Sequence, residues 1–344
     1  MGITFGRNIK LGLGQETVFN TYQTTVTLKP EEHGIYVEPD GVSIALGKEM
    51  IEVNTSRAQI MPSLADIAEG TKDWTAKLRF PLAKEDMNWI FLNLFGAVTT
   101  STVTGSYRKH IHLISAVTPK SLSILYQHDL AGITTPFKRE WHLSGGMIKS
   151  LKMIFELNKP IMVEVELVGG SYLLTYPVAT AVPAYSVPTS GLYFYTFLNG
   201  LFTINALTVW NRVELTFAPA IADDLDSSYS YGSAERVRLE RAGEPAMLIT
   251  GTAKRIYDEE TNMANWEAFT TFALDFLYPS GGLGNAYAFE VALGKLKLTA
   301  PPQRVSKGMG LFEETLQFKA FQESANTENA ITIQDTQVTP VTYP

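Results

Sequence analysis

The chain holds 344 residues, 45% of them apolar and only 18% charged, with a net charge of −7 and no cysteine. That length exceeds what one compact core ordinarily serves, and the charged fraction falls below the ~25% usual in soluble domains, so two domains with much surface given to contacts are expected. The excluded classes are those that need a cationic grip on phosphates, thiol or disulfide chemistry, or a ~20-residue apolar span, and the opening MGITFGRNIKLGLG has no apolar core of signal length.

Residues 1–40 alternate weakly and end in KPEEHG, an N-terminal arm. A first β domain is expected over 41–170. Period-two alternation marks strands at 42–46, 74–80, 111–117, 122–126, 151–157 and 162–168. Helical spacing marks 84–95, where Met87, Ile90, Phe91, Leu94 and Phe95 share a stripe that Gly96 stops. Residues 171–200 form a connector, in which Pro177, Pro183 and Pro188 block regular ladders. Its Tyr, Val and Leu content argues for a segment lying against protein rather than a solvated tether. A second β domain is expected over 201–323, with strands at 207–217, 237–241, 249–257, 272–278, 289–293, 296–298 and 316–321. Its short helix is capped by Thr261 and turns Met263, Trp266 and Phe269 or Thr270 inward. Residues 324–344, rich in Thr, Asn and Gln, read as a C-terminal arm able to pair with a neighbour's sheet edge.

Two stretches repeat at an offset of 177 positions: TAKLRFPLAKEDMNW (75–89) and TAKRIYDEETNMANW (252–266). Both read as strand, turn, helix, and both end on a Trp. Trp89 and Trp266 are therefore expected as matched core anchors, since a Trp on an inner helical face is more often packing than ligand contact. The expected fold is mainly β: two tandem sandwich or barrel domains, each with one short packed helix.

Catalytic chemistry is not visible. His110 and His112 share one face of a strand-like run, but no third metal ligand has suitable spacing, and two surface histidines are the simpler reading. Asp223, Asp224 and Asp226 lack the Gly and closing Glu of a calcium loop. GLGQET (12–17) and SGGLG (280–284) are too short of their motifs to bind a dinucleotide or a phosphate. The carboxylate pairs Glu164/Glu166 and Glu313/Glu314 have no sign of a cleft between them, and alternating Glu marks the wet face of a sheet. No enzyme activity, cofactor or metal is expected.

The collected pattern resembles the tail tube (major tail) proteins of long-tailed, siphovirus-type bacteriophages in a tandem-duplicated form. The similarity lies in GQETVFNT (14–21), in TPFKREWHLSGGMIKSLKMIFELNKPIMVEVELVGG (135–170) and in EPAMLITGTAKRIYDEE (244–260). The resemblance implies a structural virion protein of the phage tail, synthesised in the host cytoplasm. Self-association into homotrimeric, pseudo-hexameric rings would stack into a hollow tube that delivers double-stranded DNA, alongside tape-measure and tail-tip or terminator partners and without membrane insertion. A duplicated chain would need only three copies for a pseudo-sixfold ring. Glu164 and Glu166 are the candidate lumen-facing acids, with Val163, Val165 and Leu167 turned to the core, because a negative lumen repels phosphates. Alternatives are a terminator, baseplate or decoration protein, or a carbohydrate-binding or glycan-processing β module; the two helical blocks disfavour an outer-membrane barrel.

Overall fold

The computed structural model describes residues 9–335 apart from 25–27, 29, 31–32, 36, 39, 53–66, 85–86, 103–106, 130–137, 176–193, 197–199, 206, 209, 223–228, 231–232, 234, 242–244, 258–260, 280–286, 309–310 and 323–328. The described elements, in chain order, are β1 (Ile9–Gln15), β2 (Gly34–Ile35), β3 (Val42–Glu52), β4 (Ile67–Pro81), α1 (Asn88–Phe95), β5 (Gly96–Thr102), β6 (Arg108–Ile114), β7 (Leu122–Asp129), β8 (Lys138–Glu156), β9 (Met162–Gly169), β10 (Ser171–Thr175), β11 (Leu201–Ile204), β12 (Arg212–Pro219), β13 (Ile221–Ala222), β14 (Glu240–Arg241), β15 (Met247–Tyr257), α2 (Thr261–Glu267), β16 (Phe272–Tyr278), β17 (Ala288–Leu298), β18 (Gln303–Gly308), β19 (Leu311–Ala320) and β20 (Asn329–Asp335). The protein is mainly β, as its period-two patterning predicts.

Three antiparallel layers organise these strands. The first runs β3–β4–β9–β8–β12–β15–β19–β18 and crosses from the first half of the chain to the second at the β8–β12 ladder. The second runs β11–β16–β17–β20–β6–β5. The third is made where the early part of β8 leaves the first layer to pair with β7 and β10, with β1 added on β7 and β2 on β1. Gly145, at φ 71°, sits where β8 changes sheets, a conformation open to Gly at little cost. Aromatic side chains knit the layers: Phe155 of β8 meets Phe202 and Phe276 at 5.2 and 4.8 Å, and Phe91 of α1 meets Phe289 at 6.1 Å.

Within the first layer one arrangement occurs twice. β4 lies between β3 and β9, and β9 forms a hairpin with β8; β15 lies between β12 and β19, and β19 forms a hairpin with β18. Ala76 faces Ile44 and Leu167, and Ala253 faces Val213 and Leu316. The packing of aromatic on glycine is reciprocal. Trp74 is opposite Gly169, and a Cβ on Gly169 would stand 1.9 Å from the indole; Gly251 is opposite Phe318, and a Cβ there would stand 2.5 Å from that ring. Each rung keeps one large and one absent side chain, with the strands exchanged.

The two helices are less alike. All eight residues of α1 are buried, as an apolar segment covered on every side requires. The Arg241 guanidinium holds its C-terminal end, donating to the carbonyls of Asn93, Leu94, Phe95 and Ser115. Trp89 is 2% exposed. Trp266 is only half-buried at the edge of the core, and Phe269 and Thr270, one or other of which was expected on the inner face, are both exposed. The cause is cover: α1 is enclosed on every side, so any of its positions is buried, whereas α2 exposes Ala264 and Glu267 and leaves Trp266 at the rim.

The chain ends also differ from expectation. Within the N-terminal arm, β1 pairs with β7 over seven rungs and Leu11–Glu16 are buried. Within the C-terminal arm, β20 is a buried strand inserted between β6 and β17, joining the two halves. His110 and His112, expected at the surface, are 0% exposed. His110 Nε2 donates to Asp335 of β20 at 3.2 Å, Asn88 donates to the same carboxylate at 2.6 Å, and His112 bonds Asn88 Oδ1 at 3.0 Å. A hydrogen-bonded polar chain thus replaces the expected wet face. The described parts of the connector lie against protein: β10 pairs with β8, and the fully buried Tyr195 bonds Ile161, Leu82 and Ala288.

Candidate functional site

The inner face of the first layer packs on the core, so its chemistry toward other molecules lies on the outer face. Period two fixes that face. On β9, Val163, Val165 and Leu167 are buried while Glu164 and Glu166 point out; on β12, Val213, Leu215 and Phe217 are buried while Arg212, Glu214 and Thr216 point out. Thr75, Lys77 and Arg79 of β4, Lys152 of β8, Thr250, Thr252 and Lys254 of β15, and Thr315, Gln317 and Lys319 of β19 continue a polar wall across both halves. Two adjoining shallow grooves of ≈ 390 and ≈ 320 Å³ lie on it, and Lys152 and Thr216 line both.

Glu164 and Glu166 do not present bare charge. Lys77 reaches Glu166 at 2.5 Å, and Arg79 lies 3.6 Å from Glu164 and 3.0 Å from Glu38. The bond from Lys77 holds the Glu166 carboxyl below the usual carboxylate range, and the reciprocal bond raises Lys77. Glu214 accepts from Lys152 at 2.7 Å and Arg212 at 2.6 Å. Burial pushes its carboxyl up, but those two bonds prevail and hold it low. Cations and carboxylates interleave on these strands, with Glu156 facing Arg212 and Glu313 beside Lys307, so the wall is a field of mixed charge and not the acidic surface that the net charge of −7 suggests.

The remaining sequence candidates separate cleanly. Glu313 and Glu314 point to opposite faces: Glu313 pairs with Lys307 at 3.2 Å outside, whereas Glu314 is 0% exposed and bonds Arg255 at 3.0 Å and Asn262 at 2.7 Å inside. Asp223, Asp224, Asp226 and residues 280–284 lie outside the described residues. Among the described residues no group of His, Asp and Glu could hold a metal ion, and no helix is long and apolar enough to cross a membrane.

Sequence reasoning missed Glu16, in the stretch GQETVFNT. Its buried carboxylate accepts from Ser121, Ser123 and the backbone N–H groups of Gly145 and Asn20, and burial pushes it up to about 7 against the effect of those four bonds. It fastens the N-terminal segment to the bend of β8. A Glu following the alternating run of β1 is the only signal in sequence.

Comparison with curated proteins returns no match. A family model described as phage tail tube protein matches residues 6–320. With a repeated sheet arrangement, a polar outer wall and a match over most of its length, the chain belongs to the phage tail tube protein family.

Proposed function

We propose that three copies close their first layers edge to edge into a barrel, with the polar wall facing the lumen, and that such rings stack into the tail tube through which double-stranded DNA passes. The observation that carries this is the pair of open edges: among the described residues β3 pairs only with β4, and β18 only with β19. The same joint exists closed inside the chain, where β8 pairs with β12. Burial follows. Val213 and Leu215 of β12 are 0% exposed, whereas Ile44 and Leu46, their counterparts on β3, are half-buried. An apolar edge with unpaired backbone groups gains from pairing with another edge, and β3 of one copy against β18 of the next repeats the internal joint. On this reading 41–170 and 201–323 are the duplicated units, and tape-measure and tip or terminator proteins are the axial partners.

The wall suits transit. Glu164, Glu166 and Glu214 each lie within reach of a cation, so the field decays over a short distance in salt, and a passing phosphate meets neither strong repulsion nor an unopposed basic stripe. Negative-stain microscopy of the concentrated full chain tests the ring. Stacked rings with three chemically identical copies each are expected; particles that remain solitary at every concentration overturn the reading, and single rings that never stack identify a terminator instead.

A further inference from the structure

On its core face the first layer carries an unbroken buried rung: Leu78 faces Val165, Val165 faces Leu151, Leu151 faces Phe217 and Phe217 faces Ile249. On the wall face, apolar side chains stand exposed near the two ends of β15. Leu248 is the second residue of that strand and Ile256 the last but one, and both are exposed. Val305 of β18 is exposed at the Ile256 end, and Phe321, just past β19, at the Leu248 end. A groove of ≈ 240 Å³ also lies at the Leu248 end, with Ile114, Pro245, Met247, Ile249, Ala320 and Phe321 in its lining. Among the described residues, no large apolar side chain is exposed on the wall of the first half. The repeated arrangement makes the contrast exact by position. Arg79 faces Glu164 and Glu164 faces Lys152 across β4, β9 and β8; Ile256 faces Glu313 and Glu313 faces Val305 across β15, β19 and β18. Where the first half sets Arg79 3.6 Å from Glu164, the second sets two exposed apolar side chains about Glu313, whose carboxylate meets Lys307 at 3.2 Å.

Resting on the ring reading, we propose that the two ends of β15 form the axial contact between stacked rings, with Ile256 and Val305 of one copy seated on Leu248, Phe321 and the adjoining groove of a copy in the next ring. Apolar side chains exposed together on an otherwise polar face mark an interaction surface. The occupant is a second copy, because the two patches are unlike and lie at opposite ends of one strand. A head-to-tail contact of that kind does not close on itself but propagates as an open stack, and the chain belongs to a family of tubes. The contact also fixes the angular register of one ring on the next. Turning a ring by one pseudo-equivalent unit would set Leu248 and Phe321 over Arg79 and Glu164, and drawing that ion pair out of water without a new partner is costly. Second half therefore stacks on second half, and the axial register is threefold although the ring is pseudo-sixfold.

Negative-stain microscopy and sedimentation velocity of the full chain test the contact. Ile256→Glu and Leu248→Lys alter exposed side chains; each, checked for an unchanged melting temperature, is expected to form rings that stay single at concentrations where the wild type stacks. The double variant sets opposite charges across the contact. It is expected to stack again in about 0.01 M NaCl and to come apart in about 1 M, as the screening length falls from about 30 to about 3 Å. Arg79→Ala, at the position equivalent to Ile256, is expected to stack as the wild type does. If rings form but either single variant stacks like the wild type, or the double variant stays single in both salts, the axial contact is overturned while the ring reading stands. If Arg79→Ala rings stay single, the register is overturned. If the wild type forms no rings, the ring reading fails first.

Discussion

The buried position of β20 yields the sharpest test of the fold, because sequence composition marks that stretch as a dispensable arm. Ile331 is 0% and Ile333 1% exposed; the first faces Val291 and His112, the second Phe289 and His110. Truncating a buried Ile to Ala removes about 2–5 kcal/mol through lost transfer energy and the cavity left behind. The two side chains are same-face neighbours, so their effects will couple and the double variant need not reach the sum. Even so, a loss of about 4 kcal/mol or more is a large part of the ~5–15 kcal/mol that holds a typical domain together. Deleting 329–344 outright also opens both ladders and removes Asp335 from under His110 and Asn88, and the product is expected not to fold. Urea unfolding followed by tryptophan fluorescence measures the series. If Ile331→Ala and Ile333→Ala each shift the midpoint by less than the equivalent of ~1 kcal/mol, or the truncated chain unfolds with the wild-type midpoint, β20 is a surface arm and the account of how the halves are joined is wrong.

Three further outcomes are expected. Trp89→Ala should lower stability by about 3–5 kcal/mol, whereas Trp266→Ala, half-exposed, should lower it by about 1–2 kcal/mol; equal losses by thermal unfolding would restore the two Trp residues as matched anchors. Arg241→Ala strips the donors from the end of α1 and should cost about 1–3 kcal/mol, read as faster amide exchange at Gly96 and Ser115; unchanged exchange would show that water replaces the guanidinium without penalty. His112 is held neutral, its pKa lowered from 6.5 to about 3, by burial first and by the charge of His110 second. The unfolded chain therefore takes up a proton between pH 6.5 and 3 that the folded chain refuses, and stability falls with acid across that window; His112→Gln should show a shallower fall, and an unchanged pH slope would remove His112 as its source.

Much of the first layer was legible because its strands bury one face and wet the other. Glu164 and Glu166 alternating with Val163, Val165 and Leu167 needed no tertiary knowledge. The failures share a physical cause, which is polar side chains buried by long-range partners. Asn329, Thr332, Gln334 and Asp335 make β20 look like a solvated tail, yet both of its edges are paired and its acid meets His110 from residues more than two hundred positions earlier. Glu314 shares the period of Leu316 and Phe318 on β19, so alternation alone puts it inside; the rule that acids stay wet concealed it, because Arg255 together with Asn262 makes that burial tolerable. In β8, Gly145 and Gly146 interrupt the side-chain pattern, yet the strand continues through them and only changes sheets. The cations beside Glu164 and Glu166 were hidden for a similar reason, since Lys77 and Arg79 lie on a neighbouring strand and net charge carries no information about which residues face each other.

On the proposed reading, the internal joint explains what a duplicated unit would contribute to such a ring. In the proposed trimer six joints close the barrel, and three of them are β8–β12 ladders made when a single chain folds. Each joint made within a chain avoids the ~4–15 kcal/mol of translational and rotational freedom that a separate partner would lose, so half of the closure is complete before two copies meet. The division also frees the two kinds of joint to differ. The internal one never has to be reversible, and it carries the apolar rung from Leu78 to Ile249. In the proposed ring the external one closes only when copies meet, and there the chain places Arg304 on β18 next to the buried Arg255–Glu314 pair. A ring of six identical single units could not separate these demands, because every one of its joints would carry the same residues.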